Sequence, residues 1–181
     1  MIQDGDILLC KGRGLISSLI RWGTGSVYSH VALIASANLG LIVEAVPEGG
    51  VRAISIQNYK TAYDLYRVKD PNSFKVTEVV ACLIRTLAGK YDFKSTLRLG
   101  WKLLLRRLKL VGLAALKVTQ QKEAADTLQK DQDYFCSELC YEAFKAGGLD
   151  IVPQIGDGDT ASPGDIAGSP LIVKVQSDLT L

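Results

Sequence analysis

Only one histidine stands in this sequence, at position 30. Any chemistry that needs an imidazole has that residue and no other, and a site built on two or three histidines is excluded. An excess of charge is also missing. Lys and Arg number 21 against 19 Asp and Glu, for a formal net charge of +2, so no global electrostatic attraction argues for a nucleic-acid partner. No apolar run approaches the ~20 residues that span a bilayer. Four cysteines in 181 residues do not make a disulfide scaffold. Cys10 and Cys82 lie in the apolar runs DILLC and VVACLI and read as small buried hydrophobes. After Met1 come Gln3, Asp4 and Asp6, not a basic segment with an apolar core and a small-residue cleavage site. The expectation is therefore a cytoplasmic protein, with a phage origin or action at the envelope left open.

What is present fits one domain of ordinary size, with 48% hydrophobic and 22% charged residues. The first part reads as strands: GDILLC (5–10), SHVALIAS (29–36), GLIVEAV (40–46), GVRAISI (50–56) and AYDLYRV (62–68). Each is short, rich in β-branched and aromatic residues, and bounded by turn formers. Between the first two, Leu15, Ile16, Leu19 and Ile20 recur at helical spacing. After Pro71 the pattern turns helical, over 74–89 with a stop at Gly89, over much of 95–130, and over 134–146 with Gly147-Gly148 behind it. The stretch 151–170 is dense in Gly, Pro, Asp and Ser and reads as loop, and LIVKV (171–175) as a last strand. Strands, then helices, then one strand predict an α+β domain, an antiparallel sheet with helices packed on it.

Within that frame DYFCSELCYEAF puts Cys136 in the first turn of a helix expected to start near Asp133. There the unpaired N–H groups and the partial positive charge of the helix lower a thiol pKa. A cysteine nucleophile needs a base and a group that orients it, and the base here must be His30, at the start of an apolar strand beside a glycine-rich loop. The next strand carries Glu44, the sole charge in LIVEAV. A carboxylate in such a strand costs several kcal/mol without a partner, which an imidazole would supply. Other readings stay open. Cys136 can be a buried filler, His30 an ordinary strand-end polar residue, and Glu44 an outward-facing one. Cys136, Cys140 and His30 can also form a zinc set.

The segments GDILL (5–9), YSHVALI (28–34), IVEAVPEGGV (42–51), GKYDF (89–93) and YFCSELCYEAF (134–144), in this order, resemble the permuted papain-like hydrolases of the NlpC/P60 superfamily, YiiX/YaeF-like branch. In that branch the histidine precedes an acidic residue, and the cysteine lies far downstream. The resemblance covers roughly residues 1–93 and 131–175. It implies a permuted papain-like fold, with an antiparallel sheet or small barrel and packed helices. It also implies a thiol hydrolase with Cys136 as nucleophile, His30 as base and Glu44 as orienter, working through an acyl-enzyme on an amide or ester bond. No cofactor and no metal are implied. The backbone N–H of Cys136 and a second donor would hold the oxyanion. Tyr28 is a candidate for that donor, its plainer reading being an ordinary strand aromatic.

Residues 94–122 depart from the family pattern, with eight Lys or Arg and no acidic residue. The expectation is a single papain-like domain over 1–181 carrying a basic helical insertion at about 94–130. That insertion is either a cover over the site or an amphipathic surface for an anionic membrane or an acidic partner. The leading function is cleavage of an amide bond in a small or cell-wall peptide. The alternatives are a lipid-directed acyl hydrolase or acyltransferase with the same triad, and a non-catalytic binding or zinc-containing domain.

Overall fold

The computed structural model describes residues 1–12, 15–47, 49–87, 135–155 and 161–179. The basic segment 94–130, the helix stop expected at Gly89 and the helix start expected at Asp133 lie outside the described residues. In chain order the elements are β1 (Ile7–Cys10), α1 (Leu15–Thr24), β2 (His30–Ser36), β3 (Leu41–Val46), β4 (Gly50–Ser55), a 3-10 turn (Ile56–Asn58), β5 (Tyr63–Val68), α2 (Val76–Arg85), α3 (Cys136–Ala146), α4 (Pro163–Ala167) and β6 (Ile172–Leu179).

The strands form one six-stranded sheet in the order β4-β3-β2-β1-β5-β6. Every neighbouring pair is antiparallel, so the described fold is α+β. Period-two alternation divides the strands between two apolar faces. Ile7, Leu9, Val31, Leu33, Val43 and Ala45 point to one face, where Val79 and Leu83 of α2 and Leu139, Cys140, Ala143 and Phe144 of α3 cover them. Leu8, Cys10, Ala32, Ile34, Ile42 and Leu65 point to the other, beneath Tyr59 and Tyr63. Burial on both sides explains why the central strands read as continuous apolar runs. Each fully buried Leu or Phe contributes about 1.5–3 kcal/mol.

Helix α3 follows Phe135, whose backbone is extended (φ −98°, ψ 163°), so Cys136 is its first residue. Ser137 fixes this end by donating from its hydroxyl to the Ala161 carbonyl at 2.6 Å. At the other end a Cβ on Gly147 would lie 2.7 Å from Val79 Cγ2 and 3.1 Å from the Lys75 carbonyl. Gly148 then takes φ +88°, a conformation that favours glycine. The glycine pair thus both stops α3 and lets α2 approach it.

Residues 163–167, expected as loop, are helical. Ser162 and Asp165 cap them reciprocally: the Ser162 hydroxyl accepts from the Asp165 N–H at 3.2 Å, and the Asp165 carboxylate accepts from the Ser162 N–H at 3.0 Å. Pro163 at the first helical turn suits a helix start.

Candidate active site

Two neighbouring antiparallel strands supply the first pair of groups. Ala32 of β2 lies opposite Glu44 of β3, so His30, two residues before Ala32 on the same face, stands diagonally beside Glu44. The ring Nε2 lies 2.7 Å from Glu44 Oε2. With Nε2 so engaged, Nδ1 is the nitrogen left for the thiol. Helix α3 brings Cys136 to the end of β2, where His30 hydrogen-bonds the thiol and the backbone groups of Val31 and Ser137 support it. Residues 30, 44 and 136 therefore meet in one continuous row. Cys136 is 7% exposed and Glu44 2%, while the His30 side chain retains 20% exposure.

The remaining donors gather on the carboxylate. Arg52 of β4, directly opposite Glu44 in register, places Nε 3.0 Å and Nη2 2.7 Å from Oε1. Tyr59 donates its hydroxyl to Oε2 at 3.2 Å, and the same phenol lies 3.0 Å from the Cys10 sulfur. One carboxylate oxygen thus belongs to the guanidinium and the other to the imidazole and the phenol. Sequence reasoning did not single out Arg52 or Tyr59. The available signal was Arg52 as the sole charge in GVRAISI, eight residues after Glu44.

Charge alternates along the row when the thiol is ionised: thiolate, imidazolium, carboxylate, guanidinium. Burial alone would raise the Cys136 thiol, but the adjacent imidazolium and its hydrogen bond outweigh that, with help from the Val31 and Ser137 backbone, and hold it below the ordinary thiol range. Burial alone would lower His30, yet the Cys136 thiolate and then Glu44 outweigh it and push the ring up to about 10. Burial opposes ionisation of Glu44 too, and the hydrogen bonds and charges of His30 and Arg52 overcome it, so the carboxyl lies below its usual range. The opposing shifts of the thiol and the ring have one cause, the ion pair they form together.

Tyr28 is directed elsewhere. Its hydroxyl donates to Asp64 Oδ2 at 2.5 Å and lies 2.9 Å from the Tyr66 hydroxyl. Asp64 is buried in β5, with Lys11 Nζ 2.9 Å from Oδ1 and Lys174 Nζ 2.7 Å from Oδ2. This cluster ties the end of β1, the entry to β2, β5 and β6 around one carboxylate.

No protein-family model matches the chain, and no curated protein matches it in sequence. Among solved structures, the crystal structure of metalloprotein yiiX from Escherichia coli O157:H7, DUF1105, superimposes with a TM-score of 0.65 over 97% of this chain and 97% of that one, at 16% identity. The chain has a YiiX-like fold.

That protein is described as a metalloprotein. The described residues of this chain do not fit such a group, since they include no cluster of three or more His, Cys, Asp or Glu able to hold a metal ion. The zinc set considered from the sequence meets a specific obstacle. Cys140 is wholly buried in the apolar core between α3 and the sheet, and burial, then the neighbouring Cys136 charge, drives its thiol upward, against the thiolate a metal needs. The His30 ring is already engaged, by Glu44 at Nε2 and by Cys136.

Proposed function

We propose that the chain is a cysteine hydrolase of the permuted papain-like, NlpC/P60 kind, cleaving an amide bond in a small or cell-wall peptide through an acyl-enzyme. The observation that carries this reading is the contact of buried Cys136 with the half-buried His30 ring, with Glu44 2.7 Å from Nε2.

In the first step the Cys136 thiolate attacks the carbonyl carbon. A carbon–sulfur bond forms, and the carbonyl π pair moves to oxygen. The backbone N–H of Cys136, first residue of α3, lies at the positive end of the helix dipole and suits that charge. As the tetrahedral centre collapses the carbon–nitrogen bond breaks. The His30 imidazolium gives its proton to the departing amine, which leaves a thioester. Neutral His30 next takes a proton from water, whose oxygen attacks the thioester, and the carboxylic acid departs as Cys136 sulfur is released. Glu44 holds the ring in place and stabilises its cationic form throughout. Its four hydrogen-bond donors keep it ionised, so it takes no proton itself.

The basic segment 94–122 supports a second reading, an acyl hydrolase or acyltransferase working on lipid with the same three residues and held to an anionic membrane or an acidic partner by that segment. Mass spectrometry after incubation with peptide, ester and lipid acyl donors tests both. An acyl adduct on Cys136 is expected, absent from Cys136→Ala, and the donor that forms it names the class. Failure of every donor to modify Cys136, in protein whose thiol alkylates rapidly, would remove both readings.

A further inference from the structure

The guanidinium of Arg52 lies one residue beyond the row that does the chemistry. It sits on β4, a strand with a single neighbour in the sheet, its side chain 49% exposed, yet both Nε and Nη2 converge on Glu44 Oε1, at 3.0 and 2.7 Å. Two donors on one oxygen fix how the carboxylate plane is rotated. Oε2 is then the oxygen left for the ring, and it meets His30 Nε2 at 2.7 Å. Tyr59, packed on the same face of the sheet as Glu44, completes the arrangement at 3.2 Å from Oε2.

We infer that Arg52 is a positioning residue, which holds Glu44 with Oε2 aimed at His30 and so maintains the thiolate–imidazolium pair. It acts through Glu44 on the ring and through the ring on sulfur. The inference rests on the proposed roles of Cys136 and His30, but concerns a group those roles do not require.

Two effects of Arg52 oppose each other, and their signs differ. As a bare positive charge near the ring, Arg52 disfavours the imidazolium, so its removal would raise the ring's pKa and lower that of the thiol. As a clamp, its removal frees Glu44 to turn away. The imidazolium then loses its aligned acceptor, which lowers the pKa of the ring and raises that of the thiol. The titratable and charged groups around this ring are Cys136 from α3, Glu44 from β3, Arg52 from β4, Tyr59 after the 3-10 turn and Cys10 from β1. Tyr59 and Cys10 are both pushed upward, by burial first, so they stay neutral while the pair titrates.

The chain's single histidine makes the ring directly observable, because its imidazole signals in an NMR titration belong to one residue. The test compares wild type, Arg52→Gln and Arg52→Lys in the full chain, reading the His30 titration and the pH dependence of Cys136 alkylation. Lysine keeps the charge but offers a single point in place of the guanidinium's two converging donors. The clamp predicts that in both variants the ring titrates at lower pH and the acid limb of alkylation moves upward by about one pH unit, about a tenfold loss of rate on that limb. Profiles that superimpose on wild type, or shift the opposite way, overturn the inference, as does full retention in Arg52→Lys. Should Arg52→Gln fail to fold, Arg52→Lys alone decides. A wild-type ring that titrates normally would instead count against His30 as the partner of Cys136, which keeps the two failures distinct.

Discussion

His30 and Glu44 are fourteen residues apart in the chain, yet the hairpin formed by β2 and β3 puts Nε2 2.7 Å from Oε2. The contact joins the two strands at the end of the sheet where α3 begins. The pair is thus made by local strand pairing, and only Cys136 has to arrive from a distance.

Thiol reactivity should report that arrival. The alkylation rate of Cys136 by iodoacetamide is expected to rise at a pH below the ordinary thiol range, because the ring stabilises the thiolate. A second change is expected near pH 10, where His30 loses its proton. His30→Ala should slow labelling at pH 7 by about tenfold or more, as the thiol returns toward its unperturbed range. Equal rates in the two proteins at pH 7 would show that the ring does not activate the sulfur.

Folding stability should carry the mark of Glu44 on the acid side. Its native pKa lies below the unfolded value, so its contribution is present above the unfolded carboxyl range of about 4.3 and lost as pH falls through the native value. Glu44→Gln is expected to cost about 1–3 kcal/mol near neutrality, the range for a buried hydrogen bond to a charged group. The gap should close toward pH 3. Guanidinium melts of both proteins at several pH values measure it, and a gap that widens on acidification would reverse the assigned sign.

The site's central trio was legible because each member broke its local pattern. Glu44 is the lone charge of an apolar strand, His30 has no competitor in the chain, and Cys136 stands at a helix start. Arg52 and Tyr59 were not legible, because their role depends on cross-strand register and on the path after the 3-10 turn. The sheet's composition was visible strand by strand, but not its order. Placing β1 between β2 and β5 requires long-range pairings that no local pattern encodes. Helix α4 was missed because Pro163, Gly164 and the surrounding glycines read as loop, although Ser162 and Asp165 carried the spacing of a capping box.

Zinc content separates the catalytic reading of Cys136 from the metal one. Because Cys140 is sealed in the core, purified protein is expected to hold less than about one tenth of a zinc per chain, where a structural site would be near full occupancy. Cys140→Ala should leave the alkylation profile of Cys136 unchanged and cost no more than a small core truncation. Stoichiometric zinc lost with Cys140→Ala would overturn this.

The close approach of α2 and α3 depends on Gly147. A methyl there would meet Val79 Cγ2 at 2.7 Å and the Lys75 carbonyl at 3.1 Å. Gly147→Ala is expected to cost about 1–3 kcal/mol by overpacking, and adding Val79→Ala should recover part of it on the side-chain portion of the clash. Thermal melts of the two single variants and the double variant test the coupling, and strict additivity would place the strain elsewhere.

Strands β1 to β5 occupy residues 7–68, whereas the helix that delivers the sulfur begins at 136. The His30–Glu44–Arg52 contacts are made entirely within that first stretch, and the cysteine comes to them from a distant one. The Cys136 thiol meets His30 only where α3 packs at the end of β2, so the environment that lowers its pKa belongs to the assembled fold and not to the segment that carries the sulfur.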